Sequence, residues 1–266
     1  MTQQSKTILI TGSGSGIGKA TAIALAEKGH TVIATTETDA QAIELNKLTF
    51  SKNISITSFR LDVTNANDRS LVLNYDIDVL INNAGIGESG SLAEIDMNKV
   101  RNNYEVNVFG PLELTQLVLK GMIKKDKGTV IFISSLLGRI TMPFLAPYSM
   151  TKFSISSGAE ALRKEIQSIT PNVHICLVEP SGYHTGFNQK NIAKKFVWMN
   201  EQSFFYKIKD KIKKNEDTQF RLIESKTTDS IVEKIVHASE SGKPKLRYVA
   251  PWAHGFGVQV LRMFGK

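Results

Sequence analysis

The stretch Thr11-Gly12-Ser13-Gly14-Ser15-Gly16-Ile17-Gly18 sets four glycines in seven positions, directly after the apolar run Thr7–Ile10. Behind it, Ala20–Lys28 carries Ala22, Ile23 and Ala26 at helical spacing. A strand that enters a helix through such a turn commits the chain to a βα unit. Glycine lets the backbone turn sharply, and the helix N-terminus that follows favours negative charge, so a pyrophosphate is one natural occupant. A Gly/Ser turn without a ligand is the other reading of the same residues. Two common phosphate motifs do not fit. The P-loop needs glycine five residues before Gly18-Lys19 and Ser or Thr after it, where Ser13 and Ala20 stand. GxGxxG fails in every register, and TGxxxGxG remains.

The rest of the chain repeats this alternation. Thr31–Ala34, Ile54–Leu61, Asp78–Ile81, Thr129–Ile133, Val173–Val178 and Arg247–Val249 read as strands. Ala40–Leu48, Asp68–Leu73, Met97–Asn107, Leu112–Lys124, Tyr148–Ile169 and Asp229–Ser239 read as helices. Strands such as VIFI and ICLV are apolar at every position, so both of their faces are covered. Right-handed crossovers then give an α/β fold, a doubly wound parallel sheet with helices on both faces and ligands at the carboxyl ends of the strands. No repeat, low-complexity block or linker divides the 266 residues, which suits one Rossmann-type domain over 1–266.

Charge is concentrated. Of the net +8, a surplus of six lies between Phe187 and Lys214, which holds eight lysines, two acids and no arginine. Arginine is the residue that forks onto phosphates and reads bases, so its absence argues against nucleic acid. A solvated helix face is the favoured reading, and a peripheral membrane contact the less favoured one. Phe204, Phe205, Ile208 and Ile212 fall on one helical stripe beside the lysines, so 187–226 reads as a helical insertion packed as a substrate lid. The single cysteine, Cys176, excludes a disulfide within the chain and suits a reducing compartment. The apolar run Ile8–Ile10 is too short for a signal peptide and no run can cross a bilayer, so a cytoplasmic protein is expected. Five histidines without ligand spacing suggest no metal.

Of six tyrosines, only Tyr148 has a lysine four residues on, Lys152. On a helix the two share a face, which sets an ammonium beside a phenol. A phenol with pKa near ~10 serves as acid or base at neutral pH when a cation favours the phenolate, and Lys152 would supply one. Ser134-Ser135 end the strand that begins at Thr129, and Ser135 lies thirteen residues before Tyr148. Asn82-Asn83-Ala84-Gly85 follow the fourth strand, Asp62-Val63 the third, and Asn107 stands in Val106-Asn107-Val108. Each alone is an ordinary cap, turn or strand-end residue. In this order and spacing, TGxxxGIG, NNAG, the serine and YSMTK resemble the short-chain dehydrogenase/reductase superfamily, in its compact single-domain branch.

That resemblance implies an oxidoreductase moving a hydride between a nicotinamide dinucleotide and a secondary alcohol or ketone. It gives Tyr148 the hydroxyl proton, Ser135 the substrate oxygen, Lys152 the task of lowering the tyrosine pKa and binding the nicotinamide ribose, and Asn107 a water on the proton path. For the cofactor it implies Gly12, Ser13, Ser15, Gly16, Ile17 and Gly18 in the glycine loop, and Thr36 and Glu37 at the end of the second strand. Asp62 and Val63 would meet the adenine, and Asn82, Asn83, Ala84 and Gly85 would shape the crevice shared with Tyr148 and Lys152. Pro180, Gly182 and Thr185 resemble the family's PGxxxT, with Ser181 in place of its glycine. An acid at Glu37 and no basic residue at that strand end favour NAD over NADP, while Lys19 keeps NADP open. The apolar loop Leu136–Pro147, with Phe144 and Leu145, suits a lipophilic alcohol or ketone. The chain from Lys245 onward loosely resembles the ends of hydroxysteroid and retinol dehydrogenases, and His184 is a candidate substrate contact. Relatives usually assemble, so a homo-oligomer, dimer or tetramer, is expected.

Overall fold

The computed structural model describes residues 4–52 and 54–264. Nine strands form among them: β1 (Thr7–Ile10), β2 (Thr31–Thr36), β3 (Ile56–Arg60), β4 (Val79–Asn82), β5 (Gly128–Ile133), β6 (Val173–Pro180), β7 (Gly182–Tyr183), β8 (Glu224–Ser225) and β9 (Arg247–Ala250). Seven make one parallel sheet in the order β3-β2-β1-β4-β5-β6-β9, and β7 pairs with β8 apart from it. The doubly wound architecture expected from the apolar strands is therefore present.

The helices are α1 (Gly16–Glu27), α2 (Asp39–Lys52), α3 (Ala66–Ser70), α4 (Met97–Tyr104), α5 (Gly110–Lys124), α6 (Ala146–Gln167), α7 (Phe187–Trp198), α8 (Lys209–Ile223), α9 (Asp229–Glu240) and α10 (Trp252–Met263). Successive strand residues point to opposite faces, and β1 divides accordingly. Ile8 and Ile10 join Ala22 and Leu25 of α1 and Ile231 and Ile235 of α9 in one core layer. Leu9 joins Leu114 and Met122 of α5 and Ile155 and Ala159 of α6 in the other. Winding reverses where β1 lies between β2 and β4, and the crevice at their carboxyl ends is where such a sheet binds ligands.

Three regions depart from the sequence reading. The helices expected over 97–107 and 112–124 are one continuous path, joined by a π turn at Glu105–Phe109 that holds Asn107. An apolar pattern does not register the extra residue of a π turn, a feature frequent at functional sites. The second departure is the lysine-rich segment. A tight turn at Tyr206–Ile208 precedes α8, so the four apolar residues do not share one stripe: Phe204 and Ile208 are exposed and Ile212 is buried. Nor are all the lysines on a solvated face. Lys195 is fully buried with its Nζ 2.8 Å from Glu216, Lys194 donates to the Gly87 carbonyl (2.9 Å), and Lys209 donates to those of Phe196 and Met199 (2.8 Å each). Long apolar stems let lysine heads reach internal acceptors in this way. Third, the residues after Pro251 form α10 rather than a plain tail. Among the described residues, no helix is long and apolar enough to cross a membrane.

Candidate active site

The glycine loop is locked from below by the segment after β4. Thr11 Oγ1 accepts the Asn83 and Ala84 amides (3.1 and 3.0 Å), and Asn83 Nδ2 donates to the carbonyls of Thr11 (2.8 Å) and Gly12 (3.0 Å). The approach is close enough to require glycine. Gly12 has φ +68°, and a Cβ there would stand 2.7 Å from Ala84 Cα, while one on Gly18 would overlap the Gly12 carbonyl oxygen and Asn83 Nδ2. Ser13 is buried, its amide donating to Thr35 O (2.7 Å) and its hydroxyl to Ile10 O (3.2 Å). Ile17 packs on the core beneath α1. Ser15 begins α1 in extended conformation, its side chain makes no capping bond, and the first turn holds no acid. The amides of that turn are thus left for an anion. Across the crevice, Thr185 Cβ lies 3.1 Å from where a Gly16 Cβ would be, so the PGxxxT-like segment and the glycine loop face each other.

At the far end, Thr36 is buried with its hydroxyl on Thr38 O (2.9 Å), and Glu37 is exposed. Lys19 is paired with Glu44 (2.9 Å). A second cation, Arg60, sits beside Thr36 in register and is paired with Asp68 (2.8 Å). The sequence reading passed over Arg60, because only strand register places it there. Asp62 Oδ1 accepts the Thr64 amide (2.9 Å) and hydroxyl (2.8 Å), and Val63 O accepts from Arg69 (2.8 Å), so this corner is held as a turn.

Where β5 ends, four of the singled-out residues converge. Ser135 follows the strand, and its hydroxyl accepts the Leu137 amide (3.1 Å) and lies 3.5 Å from Pro180 O. Tyr148, partly buried, opens α6, and one turn later the buried Lys152 places Nζ 5.5 Å from the Tyr148 ring centroid while donating to Ile133 O (2.8 Å). Asn107 Oδ1 accepts the Ile86 amide (2.9 Å), and its Nδ2 donates to Ile86 O (2.8 Å) and Thr151 Oγ1 (3.1 Å). A Cβ on Gly85 would be 3.2 Å from Asn107 Oδ1 and 3.8 Å from Lys152 Nζ, so glycine keeps the space between them open. Ser134 instead bonds Ser156 (2.7 Å), and Asn82 turns away from the crevice to Thr115 (2.9 Å).

Burial pushes the Lys152 ammonium down to about 8. It also raises the Tyr148 phenol above its ordinary value, opposed by a hydrogen bond from Ser135. The lowering expected from Lys152 is not seen: desolvation of the phenolate sets the direction, and Ser135 is the group that opposes it.

The loop after β6 explains the Ser181 departure. Its hydroxyl lies 2.7 Å from His254 Nδ1 on α10, and Gly182 pairs with Glu224 across β7 and β8. The His184 side chain is 66% exposed and held by Glu224 (2.9 Å). Of the apolar loop, Leu145 is buried and Phe144, at φ +62°, packs edge-on to Phe205 with centroids 5.1 Å apart. Two features were not legible in the sequence. Phe187, the first residue of α7, lies 5.9 Å ring to ring from Tyr148. Behind the site, fully buried Glu179 holds Arg139 through two bonds and also pairs with Arg247, which in turn pairs with Glu160.

Residues 6–195 match the sequence model of the family described as short chain dehydrogenase. The chain is 33% identical over 198 residues to a 3-ketodihydrosphingosine reductase of Bacteroides thetaiotaomicron, covering 74% of this chain and 71% of that protein. It is 33% identical over 198 residues to human retinol dehydrogenase 8, covering 71% of this chain and 62% of that protein. A short chain dehydrogenase/reductase from Burkholderia phymatum, in complex with NAD, shares the fold with a TM-score of 0.81 at 19% identity, over 97% of this chain and 93% of that one. With more than half of its length matched, this chain belongs to the short-chain dehydrogenase/reductase family, the NAD(P)-dependent oxidoreductases of CH–OH groups.

Proposed function

We propose that Tyr148 exchanges the proton of the substrate oxygen, that Ser135 hydrogen-bonds the same oxygen, and that Lys152 and Asn107 hold the polar path behind them. The observation that carries this reading is the convergence of the Ser135 hydroxyl and the Lys152 ammonium on Tyr148 at the carboxyl end of β5. The crevice fits a nicotinamide dinucleotide on its own evidence: an α1 N-terminus with neither capping side chain nor acid, and glycines where a Cβ would fill the cradle. When bound, the cofactor supplies the hydride donor or acceptor. Gly12, Ser13, Ser15, Gly16, Ile17 and Gly18 would hold its pyrophosphate, Thr36 and Glu37 the adenosine ribose, and Asp62 and Val63 the adenine. Asn83, Ala84, Gly85, Pro180, Gly182 and Thr185 would hold the nicotinamide end with Tyr148 and Lys152.

Exposed Glu37 supports NAD over NADP, since it would repel a 2′-phosphate while the nearby cations Lys19 and Arg60 each already face an acid. Phe187 against Tyr148, and the Phe144–Phe205 pair in the loop before Tyr148, support a lipophilic ketone, as do the names of the two relatives above. Residues 187–226 act as the lid in this reading, because α7 begins over Tyr148. Half-exposed Phe109, Met150 and Phe153 support a homo-oligomer through the face of the π turn and α6, and one buried cysteine supports a cytoplasmic setting.

Fluorescence titration with NADH and NADPH, followed by a ketone screen, tests the reading. NADH binding tighter than NADPH, with turnover lost in Tyr148→Phe and NADH affinity kept, is expected. More than about a tenth of wild-type turnover in Tyr148→Phe would assign the proton to another group.

A further inference from the structure

Two consecutive residues of β6 hold the segment that carries Ser135. The first, Glu179, is a fully buried carboxylate that accepts Arg139 Nε (3.0 Å) at one oxygen and a terminal Arg139 nitrogen at the other. The second, Pro180, has its carbonyl oxygen 3.5 Å from the Ser135 hydroxyl. Between Ser135 and Arg139 the backbone closes into a turn. The Gly138 amide donates to Ser135 O and the Arg139 amide to Leu136 O, each at 2.9 Å, while the Leu137 amide donates to Ser135 Oγ (3.1 Å). The other side of the turn is seated on α6, so closely that a Cβ on Gly138 would stand 2.8 Å from Lys152 O and from Ser134 Oγ. Both ends of the turn are therefore tied to β6, Ser135 through its hydroxyl and Arg139 through its guanidinium.

The same carboxylate reaches further. Arg247 of the edge strand β9 pairs with Glu179 and also with Glu160 on α6, the helix of Tyr148 and Lys152. The network thus ends on each element that brings Ser135, Pro180 or Tyr148 to the site. Stability does not account for its chemistry, because apolar residues of similar volume replace buried ion pairs with little loss or even a gain. What apolar packing does not supply is direction. A guanidinium bonded through two nitrogens to two carboxylate oxygens is fixed in plane and angle. Burial pushes the Glu179 carboxyl up, and Arg139 is the leading group that opposes the shift, with Arg262 of α10 a lesser one. The Ser135 hydroxyl, which hydrogen-bonds Tyr148, has little latitude. A displacement of about 1 Å at a reacting centre costs on the order of a hundredfold in rate.

We infer that the fork between Glu179 and Arg139 positions Ser135, holding its hydroxyl on Tyr148 and on the substrate oxygen. The inference rests on the role proposed for Ser135. Arg139 and Glu179 act through that serine and are positioning residues, and Arg247 with Glu160 ties them to the helix of Tyr148.

Steady-state turnover with NADH and the best ketone of the screen tests this, with NADH affinity measured on the same proteins. Arg139→Met/Glu179→Leu/Arg247→Met keeps the packing and should lower kcat at least tenfold, with NADH affinity within twofold of the wild type. Arg139→Lys keeps the charge and loses the fork, and should lower kcat at least fivefold with NADH affinity again kept. In a Ser135→Ala background the triple change should lower kcat less than twofold, because the group it positions is gone. Amide hydrogen exchange, a readout that needs no substrate, should quicken at least tenfold at residues 136–139 of the triple variant. Wild-type kcat in the triple variant or in Arg139→Lys overturns the inference, as does unchanged exchange in the turn. Equal losses in the wild-type and Ser135→Ala backgrounds also overturn it, since the cluster then acts through another group. Ser135→Ala with wild-type kcat would remove the role of Ser135, and the inference with it, whereas a loss there with none in the triple variant removes the inference alone.

Discussion

Glu179 tests the energetics behind the site. Its carboxylate is fully buried, and the guanidiniums it holds are nearly so, with side-chain exposures of 12% for Arg139 and 23% for Arg247. The three residues join the segment after Ser135, the end of β6 and the edge strand β9. Glu179→Gln keeps the shape and removes the charge, which leaves Arg139 facing a neutral amide in a nearly dry setting and Arg247 with Glu160 alone. Breaking a buried pair by removing one partner costs about 3–5 kcal/mol. At about 2–4 °C per kcal/mol for chains slightly shorter than this one, the melting temperature should drop by roughly 6–20 °C. Lys19→Ala is the control, because its partner Glu44 is 69% exposed and such pairs contribute about 0–1 kcal/mol. Thermal unfolding followed by circular dichroism, with turnover measured well below the transition, separates stability from activity. A triple variant, Arg139→Met/Glu179→Leu/Arg247→Met, should recover much of the loss, since apolar packing replaces buried ion pairs at little cost. A Glu179→Gln protein that melts within about 3 °C of the wild type would refute the reasoning, because the cluster would then be solvated in solution.

Three other outcomes follow from the same geometry. Gly18→Ala should weaken NADH binding at least tenfold and cost about 1–3 kcal/mol in urea unfolding, because its Cβ would overlap backbone. Gly14→Ala should do neither, as its Cβ would meet only the movable end of Gln41. Glu37→Arg should move the NADPH/NADH affinity ratio at least tenfold toward NADPH in a fluorescence titration; an unchanged ratio would show that the ribose does not sit at the end of β2. With burial holding Lys152 at about 8, NADH affinity should fall as pH rises through that value, as the ammonium loses its charge. Lys152→Arg stays charged there, so its affinity profile should be flat. The sign for stability is opposite. Between about 8 and 10.5 the unfolded chain holds the lysine proton that the folded chain has lost, so Lys152 makes unfolding harder as pH rises through that window, which urea midpoints would report.

What the sequence determined by itself is what local chemistry determines. A short apolar strand, a glycine loop and a helix specify a βα turn within about twenty residues. Tyr148 and Lys152 share a helix face because four residues make about one turn. Strands apolar throughout, such as Val130–Ile133, require cover on both faces and so imply the parallel sheet. The tertiary structure decided whatever depends on partners distant in the chain. Arg60 stands beside Thr36 only through the β2–β3 register, and Glu179 gathers Arg139 and Arg247 from 40 and 68 residues away. Lys195 reads as one more solvated lysine until Glu216 closes over it. Asn107 stands in a π turn that no periodicity announces. The same limit applies to α10, whose hydrophobic spacing fits a buried helix as well as an exposed one. Sequence spacing says which residues share a side of a helix, and only packing against the rest of the chain decides which side faces water.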